Sequence, residues 1–294
     1  MPSRVRLEDT GRLQFLGATP RGRVAFTSPS WKAFDVFLIN PVTGASQAIQ
    51  LDGLSTMKHT KEALLLTGGS SDSLAFCALD VDSFLIWRRA TNNDDEWTFT
   101  SLAMGTRRPG KILSATECNG RFYLLHNNGY VYMIDATVPP PLCMVIVPVK
   151  GRNTYYREGF LLESDGEILF VLRLRDKKLV DCFCIFCDRR KKSESVIVGF
   201  EVYMLDAKDK RWTKVEELAG DQALFVGQES SFALRAPETV GYKSNCVYFI
   251  GKNKSCSLCG NFTENTWGTY SLEDGKILFE HAFTAETSKG LMEL

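Results

Sequence analysis

One phrase recurs along this chain and limits its fold more than any other feature. VYMLDAKDKRWTKVEEL (202–218) reads as an apolar strand, a polar turn, and a strand back opened by Trp212. Looser versions are FLINPVTGASQAIQL, FLIWRRATNNDDEWTFTSL, VYMIDATVPPPLCMVIVPV and GTYSLEDGKILFEHAF. From Asn40 to Trp87 to Asp135 the step is nearly constant. It falls in the roughly 40–50-residue range of a four-stranded propeller blade. The next two steps are longer, and the excess lies in two polar or cysteine-bearing stretches, near 176–198 and 252–266. Those read as inserted loops within the fourth and fifth repeats.

Between the turns the chain offers short apolar or aromatic runs: GRVAFTS, SLAFCALD, RFYLLHNNG, EILFVLRL and NCVYFIG. Each is strand-length and bounded by turn formers. The best helical periodicity is at TMKHTKEALLL (56–66), and it runs into a strand-like segment. The reading is an all-β fold, a β-propeller of four-stranded blades with about five blades visible. Its blades fall near 12–51, 61–102, 110–149, 156–218 and 222–283, between short tails at 1–11 and 284–294. The ring reads as incomplete, truncated on its N-terminal side. Burial is the reason for such a repeat: a four-stranded sheet has two faces, and stacked blades cover both. Trp97 and Trp212 open returning strands at equivalent places, which assigns them to packing.

Composition excludes several classes. The 35 basic and 35 acidic side chains cancel, which argues against a dedicated nucleic-acid surface. No apolar run approaches the roughly 20 residues of a membrane-spanning helix. The opening MPSRVRLEDTGRL lacks the apolar core of a signal peptide. Nine cysteines, an odd number without regular spacing, suit reduced thiols. The expected location is cytoplasmic or nuclear, and the sequons at Asn253 and Asn261 then carry no sugar.

A family resemblance lies in ALFVGQESSFALRAPETVGYKSNCVYFIG (223–251). Ala223, Leu224, Phe225, Gly227, Gly241, Asn245, Cys246, Tyr248 and Phe249 follow the C-terminal signature of a plant family, the KIB-type β-propellers. That family has been catalogued as a kelch-like domain of unknown function, often found behind an F-box. VYMLDAKDKRWTKVEEL, FLINPVTG (37–44) and GTYSLEDGKI (268–277) resemble its other segments. The resemblance covers about residues 12–280 and is most specific over 202–251. It implies a propeller that recognises substrates for a cullin-type ubiquitin ligase. No leucine-rich helical segment resembling an F-box is seen, so only the recognition half carries over, and binding to the Skp-type adaptor is not expected.

Motifs for chemistry are sparse. Cys184 and Cys187, and Cys256 and Cys259, form two C-x-x-C units, the usual zinc knuckle. Their separation exceeds the usual pattern, and DCFCIFC alternates as a strand does. Buried thiols are therefore the preferred reading, with these four as the only metal candidates and no cofactor expected. His59, His126 and His281 are scattered, and none sits in a triad-like local motif. GGSSDS (68–73) lacks the Gly-Lys-Ser/Thr ending of a phosphate loop and reads as a hairpin turn. DRRKK (188–192) reads as a solvated loop. The function expected is a non-enzymatic protein-interaction module with an unknown protein partner. The alternative is an enzyme or small-molecule sensor with its site at the channel mouth. A polar constellation there favours the alternative, and an aromatic, arginine-bearing rim favours protein binding.

Overall fold

All five runs quoted above, GRVAFTS through NCVYFIG, supply paired strands. The computed structural model describes residues 14–18, 23–27, 35–50, 65–68, 74–79, 83–89, 97–103, 112–127, 129–135, 142–146, 159–181, 191–227, 231–235, 241–254 and 263–282. No helix occurs among them. The helical pattern at TMKHTKEALLL falls mostly outside these residues, and its last leucines, Leu65 and Leu66, open a strand.

Blade one is the antiparallel meander β1 (Gln14–Ala18), β2 (Val24–Thr27), β3 (Asp35–Ile39) and β4 (Ser46–Gln50). Blade two repeats it with β5 (Leu65–Gly68), β6 (Leu74–Leu79), β7 (Ser83–Arg89) and β8 (Trp97–Ala103). Blade three has β9 (Ile112–Cys118), β10 (Arg121–His126), β11 (Val131–Asp135) and β12 (Leu142–Ile146). Blade four has β13 (Gly159–Ser164), β14 (Glu167–Asp181), β15 (Lys191–Asp206) and β16 (Arg211–Val215). Blade five has β17 (Gln222–Val226), β18 (Ser231–Arg235), β19 (Cys246–Lys254), β20 (Thr263–Ser271) and β21 (Lys276–Ala282). Their innermost strands touch in succession, β1 with β5, β5 with β9, β9 with β13 and β13 with β18. This succession around an axis is a β-propeller.

The recurrent phrase is a turn with one geometry. In blades one, four and five the last turn opens with Asn40, Asp206 or Ser271. Asn40 Oδ1 accepts from the N–H groups of Val42 and Thr43 at 3.0 and 3.2 Å. Asp206 Oδ1 accepts from Lys208 and Asp209, both at 3.0 Å. Ser271 Oγ accepts from Asp274 at 3.0 Å. Four residues on, Gly44, Lys210 and Gly275 all take positive φ, at 69°, 55° and 63°. A short polar side chain thus closes each turn locally, and a left-handed residue sends the chain back.

The core lies between blades, and strict alternation builds it. On β10, Phe122 and Leu124 pack toward Phe84 and Ile86 of blade two. Tyr123 and Leu125 point the other way, onto Phe170 and Leu161 of blade four. On β14, Ile168 and Phe170 join that same cluster, whereas Leu169 and Val171 meet Leu224, Val247 and Phe249 of blade five. Successive side chains of a strand face opposite sides, so an uninterrupted apolar run such as ILFVL (168–172) serves two interfaces. Trp212, half-buried on β16, packs on Phe170 with centroids 5.7 Å apart. The Trp97 side chain lies outside the described residues.

Blades four and five depart from the simple meander. The stretches read as inserted loops near 176–198 and 252–266 are in part extended hairpins. β14 and β15 stay paired out to Asp181↔Lys191, and β19 and β20 out to Lys254↔Thr263. Backbone pairing keeps polar segments such as RDKK and SESV in strand form, although they lack the apolar alternation by which strands are read. The hairpins meet at Ser195↔Lys254, which merges the two blades into one nine-stranded sheet, so five blades make four sheets. Arg173 adds a second tie: its Nη2 donates to the Ile250 carbonyl at 3.0 Å.

Blade five also contains a parallel pair, β17 with β19, in register Ala223↔Cys246 to Val226↔Phe249. Parallel neighbours require a crossover, and β18 with the segment leading to β19 supplies it. Asn245 locks this arrangement. It sits at φ 53°, its N–H donates to the Gln222 carbonyl at 2.7 Å, and its carbonyl accepts from Leu272 at 3.1 Å. Its Oδ1 accepts from the Leu218 N–H at 3.1 Å. Gly268 is equally constrained, since a Cβ there would lie 2.5 Å from the Phe279 carbonyl oxygen.

Replacing Asn245 by Ala removes the Leu218 acceptor and disfavours the left-handed backbone. The expected cost is about 1–3 kcal/mol, read as a lower urea midpoint. Asn245→Asp keeps both features and should lose clearly less. Equal losses in the two variants would contradict this role.

Candidate functional site

Two tight turns begin the site. Cys-Asn-Gly-Arg (118–121) and Ser-Asp-Gly-Glu (164–167) join β9 to β10 and β13 to β14. Asn119 and Gly120 have φ of 51° and 77°, and Asp165 and Gly166 of 50° and 84°. Positive φ at both central residues is the two-residue hairpin turn that Asn-Gly and Asp-Gly favour. The turns sit side by side. The Cys118 thiol donates to the Gly166 carbonyl at 3.1 Å, and Ser114 Oγ accepts the Leu161 N–H at 2.9 Å across the blade boundary.

Blade five brings a third wall. Gln222 opens β17 opposite Arg235, which ends β18. Ser164 Oγ donates to Gln222 Oε1 at 2.9 Å, and Gln222 Nε2 donates to the Asp165 carboxylate. Arg235 Nη2 reaches the same carboxylate at 3.3 Å. Glu163 Oε1 accepts the Gly166 N–H at 2.7 Å. These groups surround a cavity of about 320 Å³, with Thr116 on its blade-three side and the Phe232–Leu234 stretch of β18 as a wall. Ser164, Gln222 and Thr116 are buried, whereas Asp165 and Arg235 are exposed.

The electrostatics at this corner are acidic. Burial, and then the carboxylates of Glu163, Glu167 and Glu117, push the Cys118 thiol up to about 11, with Arg121 opposing. Arg121 is itself paired with Asp135 at 2.9 Å. Burial also raises the Cys143 and Cys246 thiols. These three cysteines are neutral, inert thiols near pH 7.

A second feature is aromatic. Phe225 stacks on Phe232 at 5.2 Å and on Tyr248 at 4.9 Å, a row across β18, β17 and β19, with Tyr242 edge-on at 5.6 Å. Farther out, Trp267, Phe279 and His281 form a cluster with centroids 5.2–5.7 Å apart. Trp267, Phe279 and neighbouring Ile250 are exposed.

Cys184, Cys187, Cys256 and Cys259 lie outside the described residues, as does His59. Among the described residues no group of three His, Cys, Asp or Glu is placed to hold a metal. His126 is buried on β10 against Tyr132, and His281 belongs to the exposed cluster, so neither lines the cavity. GGSSDS lies between β5 and β6, which pair antiparallel up to Gly68↔Leu74. Of DRRKK, Lys191 and Lys192 begin β15. Sequence reasoning missed Glu163, Asp165, Gln222 and Arg235. The S-D-G-E turn was a usable signal, but its meeting with residues more than 50 positions away was not.

The sequence profile of the KIB1-4 β-propeller matches residues 2–271, and the chain belongs to that family. The F-box protein At2g26160 of Arabidopsis thaliana is 25% identical over 221 residues, covering 74% of this chain and 57% of that protein. The putative F-box protein At5g55150 of the same plant is 26% identical over 207 residues, covering 70% and 52%. The chain thus spans about half the length of these relatives. Among solved structures, TolB from Acinetobacter baumannii aligns over 93% of this chain and 55% of its own, at a TM-score of 0.47 and 12% identity.

The raised Cys118 thiol has a pH signature. The folded state keeps a proton that an unfolded thiol loses near 9, so the stability from this group is complete below about pH 9 and drains away as pH rises toward 11. Urea midpoints taken from pH 8 upward should fall in that window. The fall should be shallower in Cys118→Ala. An unchanged slope in that variant would remove Cys118 as its source.

Proposed function

We propose that this KIB1-4 propeller is a non-enzymatic recognition module, the partner-binding half of the kind of protein that its F-box relatives represent. The family match, with F-box proteins as its curated relatives, carries this reading. The exposed Trp267, Phe279 and Ile250 support it, because exposed aromatic clusters serve protein docking. The described residues are strand and turn, whereas adaptor binding by an F-box uses a helical module. On this reading the propeller residues engage the partner without a Skp-type adaptor, in the manner of a scaffold or competitor.

The alternative is a small-molecule sensor or enzyme at the channel mouth, and the polar cavity is the observation in its favour. Its chemistry leans the other way. Ser164 gives its proton to Gln222 and not to a base, Asp165 is held by Gln222 and Arg235, and the cavity lining contains no His or Cys. A nucleophile needs an adjacent base.

Two measurements test the proposal. Purified chain mixed with the Skp-type adaptor should give two separate species on size exclusion, and stoichiometric co-elution would contradict the scaffold role. Affinity purification from plant tissue should retain a protein that Trp267→Asp and Phe279→Asp variants, shown to be folded by circular dichroism, retain at least tenfold less. Retention unaffected by either change would take the docking role away from this cluster. Failure of the wild-type chain to retain any protein above a folded control would overturn the recognition reading itself.

A further inference from the structure

The cavity at the turn-bearing end has no role assigned to it beyond packing. Its lining holds two carboxylates, Glu163 and Asp165, with one guanidinium, Arg235. An anionic ligand would face both carboxylates. We propose that the cavity receives a basic side chain, a lysine or arginine, from the partner protein. The proposal rests on the recognition reading and names what that reading leaves open.

Four observations carry it. First, Glu163 is half-buried and spends one oxygen on the Gly166 N–H. An ionised carboxylate has about four acceptor sites, so capacity remains. Second, Thr116 lines the cavity at 5% exposure, and a threonine hydroxyl there offers one donor and an acceptor to a ligand. Third, the Asp165–Arg235 contact is long, 3.3 Å, between exposed groups. Such pairs contribute little, so an incoming cation can share or take Asp165. Fourth, Phe232 and Leu234 give the wall apolar surface, which suits the methylene stem of a long basic side chain. The cavity, about 320 Å³, is at the small end of ligand sites. It has room for one side chain and not for a folded segment. Burial first, and then the carboxylates of Glu163, Glu167 and Glu117, raise the Cys118 thiol next to it, which agrees with an acidic surround.

The frame is built to hold this geometry. The Ser164–Gln222–Asp165 chain of hydrogen bonds joins blades four and five, and the thiol bond from Cys118 joins blades three and four. The acceptors are therefore fixed before a ligand arrives, which lowers the cost of binding.

The test uses the whole chain and four capped tripeptides, Ac-Gly-X-Gly-amide with X as Lys, Arg, norleucine or Glu. Backbone amide resonances are followed by two-dimensional NMR. The Lys and Arg peptides should produce saturable shifts at Thr116, Gly166, Gln222 and Arg235, weakened by added salt. Norleucine, which keeps the stem and lacks the charge, and Glu should not. Glu163→Gln keeps an acceptor for Gly166 and should weaken binding at least fivefold. Thr116→Val, nearly the same shape, should weaken it less. Absence of saturable shifts, equal shifts with norleucine, or unchanged affinity in Glu163→Gln would each overturn the proposal. A plant partner retained equally by wild type and Glu163→Gln would also overturn it while leaving the recognition module standing.

Discussion

A blade of this protein is apolar on both faces, and only its neighbours can cover it. β10 sends Phe122 and Leu124 one way and Tyr123 and Leu125 the other, and β14 and β15 divide in the same manner. Burying a large apolar side chain contributes about 1.5–3 kcal/mol. Each inter-blade cluster holds several, so the stability of one blade depends on the next. The side-by-side order of innermost strands, from β1 to β18, follows from that dependence.

Polar contacts add direction to this stack. The hydrophobic interfaces are tolerant of sliding, but hydrogen bonds crossing them are not. Ser114 to Leu161, Cys118 to Gly166, Ser164 to Gln222 and Arg173 to Ile250 each cross one boundary. The first three gather at or near the turn-bearing end, and there the cavity forms. The extended hairpins point to the opposite end: β14 runs away from the Asp165–Gly166 turn, and β19 lies parallel to β17, which starts beside it. The Ser195–Lys254 joint fixes these hairpins to each other. Blades three to five therefore form a braced block with a polar, acidic mouth at one end, hairpins at the other, and an aromatic cluster on blade five. Such a frame suits recognition, since rigid elements hold the contact groups and cost little entropy on binding.

The family signature acquires physical meaning from this block. Ala223 to Phe225 and Cys246 to Phe249 are the two strands of the parallel pair. Gly241 and Asn245 take the positive φ that the crossover needs, and Gly275 does so in the last turn. Gly268 is held by close approach of the Phe279 backbone. These residue types answer to backbone geometry, and they identify a family without identifying a partner.

What the sequence determined by itself was local. Asn40, Asp206 and Ser271 close their turns with their own side chains, Asn119-Gly120 and Asp165-Gly166 set two-residue hairpins, and unbroken runs such as ILFVL (168–172) announce strands buried on both faces. Each is a matter of a few adjacent residues, so each could be read from composition and spacing, and with them the propeller. The hairpin extensions were misread as loops because RDKK and SESV carry no apolar alternation, and only a neighbouring strand makes them β. The parallel order of blade five and the Ser195–Lys254 joint were decided by tertiary structure. So was the cavity: Thr116, Glu163, Asp165, Gln222 and Arg235 stand on three blades, separated by up to 119 positions between Thr116 and Arg235. Their meeting depends on how blades stack, and stacking is driven by non-directional burial that leaves no mark on the polar residues it brings together.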